Sequence, residues 1–427
     1  MEGAFIRELP LLDRADVLVV GSGPAGLCAA VAAAREGARV VLLERFGAVG
    51  GNLTLGHIRT CMGVVGTGTL KDEVGRLLGT GGECIPHNVE NAKGALARWL
   101  YQAGVTVYLQ TPAAEAWTEG DALRGVVAST PQGLARVEAG CTVDATGDGM
   151  IAALAGVPCQ VGRPGDGLMQ PASLLFTIGG VESGLTCTHE SDDTLIEGKS
   201  YLALCEEASR RGELPEDVTI VRLYGGERPD ERLVNATQLC RADGVKPADI
   251  TRADRELREQ ICQVVAFLRA RVPGFGRCRL LDGADLPGFR ETRRMEGEYT
   301  LTAEDIAAGR KFPDVVAHNV NFCFDTHNPA GGGQAEDLEA ARDTRPYDIP
   351  YRCLLPRKVK NLLAAGRCIS GTHKAHSSYR VMNICMALGE AAGIAAALSA
   401  RKGVSPGQVD VREIQAALAG KGIDLFG

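Results

Sequence analysis

The chain has 427 residues, 45% of them hydrophobic, and a net charge of −7. That length allows a large buried core and more than one domain, and the acidic balance argues against a nucleic-acid or anionic-membrane surface. No apolar run reaches the roughly 20 residues of a membrane span, and fourteen cysteines without a CxxC pair signal neither a zinc cluster nor a redox dithiol.

The first domain begins at once, with no long apolar signal region before it, so the cysteines read as reduced thiols in a cytosol. Asp16–Val20 (DVLVV) has the apolar run of a buried parallel strand. GSGPAG follows, with Gly21, Gly23 and Gly26 in GxGxxG spacing, and then a predicted helix over Leu27–Glu36. A second strand, Arg39–Leu43, ends at Glu44. Gly21 permits the tight turn, Gly23 lets backbone approach a pyrophosphate, and Gly26 lets helix and strand pack closely. Pro24 and Ala25 open the helix, whose N-terminal amides favour phosphate. Glu44 can accept both hydroxyls of an adenosine ribose, with Arg45 beside it. Strand, turn, helix, strand and acid arrive in register, so a dinucleotide binds here.

After Glu44 the chain is glycine-rich again (RFGAVGGNLTLGHIRTCMG), where a nicotinamide enzyme would start its next βα unit. A second glycine loop, with Gly51 and Asn52, suits a longer buried cofactor such as FAD. Strands are predicted at Gly104–Gln110 and Ala122–Ala128, leading to CTVDATGDG, whose Thr146, Gly147 and Asp148 end another strand. GDGMIA also fits GxGxxA, but the helix is too short for a second βαβ unit and Pro158 breaks the next strand. It reads as part of the first site, which leaves no dedicated nicotinamide domain.

The middle has a different texture. Pro171–Ile178, Thr219–Tyr224 and Arg232–Asn235 are strand-like, and Arg252–Arg271 is an amphipathic helix. GFRETRRMEGEY concentrates charge: Arg290, Arg293 and Arg294 form either solvated ion pairs or a clamp for a substrate carboxylate, a cofactor phosphate or the fold itself. Asp325 and His327 share a face if CFDTHNP is a strand, so the carboxylate either orients the imidazole for proton transfer or makes a structural hydrogen bond. Asn328–Thr344 is too glycine-rich and charged for core and is a candidate lid.

These blocks, with PGFGRCRLLDGADLPGFRETRRMEGEYTLTAEDI and IPYRCLLPRKVKNLLAAGRCISGTHKAHSSYRVMNICMALGEAAG, resemble the FAD-dependent oxidoreductase family, whose nucleotide domain is like that of glutathione reductase. The resemblance covers nearly the whole chain. It implies an α/β, Rossmann-like FAD-binding domain in two segments, 1–160 and 348–427, around an inserted α+β substrate domain, 161–347. It also implies that Asn361–Gly366 is the last strand of the FAD domain, ending in Gly366-Arg367 where the wider superfamily has Gly-Asp. Arg367 is then a phosphate ligand or a surface arginine. Arg380, Val381, Met382 and Asn383 open the final helix at the flavin pyrimidine edge, where Arg380 and the helix N-terminus stabilise reduced flavin.

His57, in the loop under the flavin, is a candidate base, with His327 the other. His373 and His376 stand in a loop as substrate contacts or hydrogen-bonded loop histidines; no third ligand signals a metal. The expected function is hydride transfer between a small polar organic substrate and flavin N5, with an external electron donor or acceptor. The alternatives are a C=C reductase similar to fumarate reductase, and a flavin-binding sensor without turnover. A monooxygenase is disfavoured because the Gly-Asp hydroxylase segment is absent.

Overall fold

The computed structural model describes residues 3–66, 69–79, 87–188, 192–331, 336 and 340–426. Its main sheet has the strands β1 (Leu11–Val20), β2 (Val40–Leu43), β3 (Thr106–Tyr108), β4 (Ala113–Glu119), β5 (Ala122–Thr130), β6 (Gly133–Asp144) and β7 (Leu362–Ala364). The order is β3-β2-β1-β6-β5-β4, with β7 also against β6. The protein is mixed α/β with a parallel-strand, Rossmann-like sheet at its centre. β1, β2, β3 and β7 run parallel to their neighbours, and β4-β5-β6 form an antiparallel meander.

β1 is longer than the DVLVV run. Its first half is half-exposed and pairs along the meander from Leu11 opposite Arg136, and only Val17–Val20 is wholly buried. β6 does two jobs: its start closes the meander and its end enters the parallel sheet. In register, Val20 lies opposite Asp144, and Asp144 lies opposite Ala364. The GSGPAG turn, the ATGDG turn and the Gly366-Arg367 turn therefore leave the sheet side by side, at the strand ends where α/β sheets bind ligands.

Two helices cover this edge at backbone distance. A Cβ on Gly26 would lie 1.9 Å from the Gly21 carbonyl oxygen, so the helix Pro24–Arg35 sits directly on the first turn. A Cβ on Gly389 or Gly393 would lie 2.0 Å from Ala25 O or 2.2 Å from Ala29 O, so the final helix Met382–Lys402 lies as close to the first. This helix has 21 residues and is apolar enough to cross a membrane, against the sequence expectation. However, 94% of its most apolar window is buried inside the protein, as for a core helix that is hydrophobic all round.

A second core is built only from residues between Ala172 and Phe289. Its antiparallel sheet runs Arg222–Gly225, Arg232–Asn235, Phe176–Gly179, Arg279–Gly283, beside the long helix Pro247–Arg271. From Met295 onward the apolar residues rejoin the first core. The second core thus lies inside the expected insertion 161–347 without filling it. Of the candidate lid, residues 332–335 and 337–339 lie outside the described residues.

Candidate cofactor and substrate site

A cavity of about 400 Å³ opens where the three turns meet, within the range of small-molecule sites. Its wall holds Gly21, Gly23, Pro24, Ala25, Glu44, Arg45, Gly51, Asn52, Thr146, Gly147, Asp148, Gly366, Arg367, Arg380 and Met382. Gly26, Val381 and Asn383 stand behind it. Gly26 packs the first helix, Val381 precedes the final helix, and Asn383 Nδ2 donates to the carbonyls of Cys61 (3.3 Å) and Gly63 (2.9 Å).

The wall suits an adenine dinucleotide. Open space lies where a Gly23 Cβ would point, and a Cβ on Gly51 (φ +52°) would stand 2.9 Å from Gly23 Cα, so the two glycine loops touch because Gly51 has no side chain. Glu44 is buried and accepts hydrogen bonds from the Ser22 amide (2.8 Å), the Ser22 hydroxyl (2.5 Å) and the Phe46 amide (2.9 Å). It thus braces the first loop from the end of β2.

Sequence reasoning passed over Asp144. Fully buried, it accepts from the Thr146 amide (3.1 Å), the Thr146 hydroxyl (2.7 Å) and the Ala152 amide (2.9 Å). Burial pushes its carboxyl up in spite of these bonds. They fold the Thr146–Gly149 turn that lines the cavity. An acid three residues before the Gly-Asp-Gly turn was the available signal.

Arg367 is fully engaged. It donates to Gly147 O (2.9 Å), Asp148 Oδ1 (2.7 Å) and the Phe289 carbonyl, joining the last strand, the ATGDG turn and the second core. Arg293 reaches Asp148 O at 3.5 Å. Arg294, for which the sequence left solvated ion pairs and a clamp both open, is 2% exposed. It pairs with the fully buried Glu291 and donates to Gly371 O (3.0 Å) and Gly162 O (2.9 Å).

The stretch around His373 and His376 is not the loop that its small polar residues predicted. His373–Tyr379 is a helix, with the Thr372 side chain accepting from the Ala375 amide. His373 Nδ1 lies 2.9 Å from Glu291 and its Nε2 lies 3.7 Å from Glu336. His376 is fully buried with both ring nitrogens unpartnered and its ring edge-on to Tyr379. Burial, then Arg294 and Arg380, hold it far below the ordinary imidazole range, so it is neutral.

The candidate bases part company. His57 is buried in left-handed backbone (φ 50°), with Nδ1 3.5 Å from Asp282 Oδ1. Arg59 meets the same carboxylate at 3.0 Å. Asp282 lies on the second core, so His57 joins the glycine loop to the cap and is not among the cavity-lining residues. Burial raises the Asp282 carboxyl, but the His57 and Thr177 contacts and Arg59 outweigh it and bring it to about 2.

His327 stands beside Arg380. Residues 322–328 form no strand, yet His327 Nε2 lies 3.3 Å from Asp325 Oδ1, while Arg380 Nη2 donates to Asp325 O (2.7 Å) and Oδ2 (3.1 Å). The His327 amide donates to Gln170 Oε1 (3.1 Å), and Arg290 Nη1 donates to Pro171 O (2.7 Å). Burial, then Arg290, pull the His327 imidazole down to about 4, against the lift from Asp325. Gln170 Nε2, His327 Nδ1 and Arg380 Nε are buried and, among the described residues, without partners. Among the described residues no His/Cys/Asp/Glu group could hold a metal ion.

Comparison with known proteins identifies the family. Residues 16–418 match the family model of FAD-dependent oxidoreductases. A thiamine thiazole synthase from Aeropyrum pernix is 50% identical over 52 residues, which is 12% of this chain and 19% of that relative. A soluble pyridine nucleotide transhydrogenase from Chromohalobacter salexigens is 59% identical over 39 residues, 9% of this chain and 8% of that relative. This chain therefore spans less than a fifth of either curated relative. A solved geranylgeranyl bacteriochlorophyll reductase-like protein from Thermoplasma acidophilum is 13% identical with a TM-score of 0.46, covering 96% of this chain and 84% of that one. The match over nearly the whole chain and the dinucleotide cradle lead to one conclusion: the chain belongs to the FAD-dependent oxidoreductase family, and FAD is its cofactor.

Proposed function

We propose that this enzyme exchanges a hydride between a small polar organic substrate and N5 of the flavin. The observation that carries the reading is the polar cluster of Arg380, Asp325, His327 and Gln170, which adjoins the cofactor cavity through Arg380 and holds three buried polar atoms without partners. Bound FAD supplies the two-electron acceptor or donor. The protein's part is to orient the substrate and manage its proton. With Nε2–H turned to Asp325, His327 Nδ1 keeps a lone pair. Above about pH 4 the imidazole is neutral and can take a proton from a substrate hydroxyl or amine, or return one in the reverse direction. Arg380, beside Met382 at the start of the final helix, places positive charge on the cavity wall.

A second reading is reduction of a C=C bond with Arg290 as the proton donor: its guanidinium is anchored on Pro171 O at 2.7 Å without a carboxylate partner among the described residues, and burial, then Arg380, pull it down to about 10. We also place the enzyme in the cytosol, which its described cysteines, all free thiols, support.

An anaerobic screen of small polar organic compounds tests the reading, following bleaching of oxidised flavin and reoxidation of reduced flavin. A compound class that does either rapidly and saturably is the expected result. If no compound does so while FAD stays bound, the protein is a flavin binder without turnover.

A further inference from the structure

We propose that the cluster of Gln170, Arg290 and His327, which adjoins the cofactor cavity through Arg380, is a carboxylate subsite for a small monocarboxylic acid that bears a hydroxyl or amino group beside the carboxylate. The inference rests on the proposed hydride exchange, in that it names that reaction's substrate class.

The four residues lie close together, with Arg290 and Arg380 both acting electrostatically on His327. Arg290 follows Phe289, which lines the cavity, and its guanidinium is anchored on Pro171 O at 2.7 Å. Gln170, the residue before Pro171, holds the His327 amide at 3.1 Å. His327 and Arg380 are joined through Asp325.

Charge is unbalanced there. Arg294 is matched by Glu291 and Arg367 by Asp148. Arg380 has Asp325, but among the described residues Arg290 has no carboxylate partner. Counting Arg294 and Glu291, which also accepts from the Gln170 amide (3.2 Å), three guanidiniums face two acids, and a net positive charge drawn out of water is costly unless an anion cancels it. A single carboxylate restores neutrality.

The unpartnered atoms state the geometry of the missing group. Gln170 is fully buried, yet its Nε2 has no acceptor, and neither has Arg380 Nε. Buried donors in native proteins find partners, and a carboxylate offers about four lone-pair sites. His327 Nδ1 is the exception in the group: with Nε2–H toward Asp325 it is an acceptor, and it calls for an O–H or N–H. Donors for an anion next to one acceptor describe a hydroxy or amino acid. Because Arg290 is a main cause of the depressed imidazole, an anion on Arg290 would also raise the basicity of His327.

Calorimetric titration of the FAD-loaded enzyme with acetate, glycolate and neutral acetamide tests this. Saturable binding of both carboxylates is expected, glycolate the tighter, with acetamide at least about tenfold weaker, the least expected for loss of a charge-assisted contact. Arg290→Gln and Gln170→Glu should each weaken acetate about tenfold or more while retaining the FAD-to-protein ratio. If either variant sheds FAD, the wild-type contrast between acetate and acetamide decides alone. Equal binding of acetate and acetamide, no saturable binding of any of the three, or an FAD-loaded Arg290→Gln that binds acetate like the wild type would overturn the proposal. Acetate binding in an enzyme whose flavin no compound bleaches keeps the subsite and removes the reaction. Flavin bleached by neutral compounds alone, with no acetate binding, does the reverse.

Discussion

His327 Nε2 lies 3.3 Å from Asp325 Oδ1, and the other oxygen of the same carboxylate lies 3.1 Å from Arg380 Nη2. One acid therefore orients an imidazole and holds an arginine of the cofactor cavity. The two residues are one apart from being neighbours in sequence, but no strand aligns them. The contact comes from the packing of segment 322–328 on the helix His373–Tyr379, where Thr326 donates to Ser377 at 2.8 Å.

This pair sets the expected pH dependence. His327 works as a base when neutral, and its imidazole sits near pH 4. Raising the pH through about 4 should therefore raise kcat/KM to a plateau across neutrality, with no limb near the ordinary histidine value of about 6.5. Asp325 lifts the imidazole, so Asp325→Asn should move the limb lower still. His327→Ala should slow substrate-driven flavin reduction by about 10²- to 10⁴-fold. An unchanged rate would remove His327 from the role of base.

Arg380→Ala removes a cation from the cavity wall and leaves the Asp325 carboxylate behind. A charge-assisted contact is worth about 1.5–3 kcal/mol, which for a two-electron couple is about 30–65 mV. The flavin midpoint potential should fall by that amount, measured by reductive titration against a reference dye, with Arg380→Lys restoring part of it. An unaltered potential would remove Arg380 from this role.

Much of the nucleotide half was legible because its determinants are local. GxGxxG spacing, the acid at the end of β2 and the ATGDG turn are each a short contiguous signal, although Glu44 meets Ser22 from 22 residues away. The substrate side was not, because its meaning lies in long-range pairs. Gln170 is unremarkable until its carbonyl meets an amide 157 residues away. Arg294 resembles its neighbours Arg290 and Arg293 until Glu291 and two backbone carbonyls enclose it. His373–Tyr379 offers small polar residues that favour turns, and tertiary burial overrides them. The final helix carried a usable signal in Gly389 and Gly393, one turn apart on the face that meets the first helix.

That close approach gives a stability prediction. Gly389→Ala would put a methyl group 2.0 Å from Ala25 O, and backbone cannot yield cheaply there. A loss of about 1–3 kcal/mol or more is expected, with a lower retained FAD-to-protein ratio because Ala25 lines the cofactor cavity. Thermal unfolding and flavin content after gel filtration measure both. A wild-type melting temperature with full FAD would contradict the packing.

Glu390, on the same helix, is 1% exposed and accepts the Leu70 amide at 2.7 Å; burial pushes its carboxyl up to about 7. Below the unfolded value of about 4.3 both states are protonated and nothing is lost. As the pH rises from there to about 7, only the unfolded chain ionises, so stability falls. Glu390→Gln keeps an oxygen for Leu70 and removes the titration. It should therefore stabilise the protein by about 3–4 kcal/mol at pH 8 relative to its effect at pH 4. Denaturant melts at the two pH values give the difference, and an equal effect at both would show that Glu390 is ionised in the folded state.

The central claim, hydride exchange with a polar substrate at the flavin, meets its most direct test in rapid anaerobic mixing. The FAD-loaded enzyme is mixed with a substrate from the bleaching screen, in ordinary form and deuterated at the carbon that loses hydrogen. The account expects saturable single-turnover flavin reduction that slows severalfold with deuterium and is retained, though far slower, in His327→Ala. Reduction at the same rate with both isotopic forms and both proteins would contradict it.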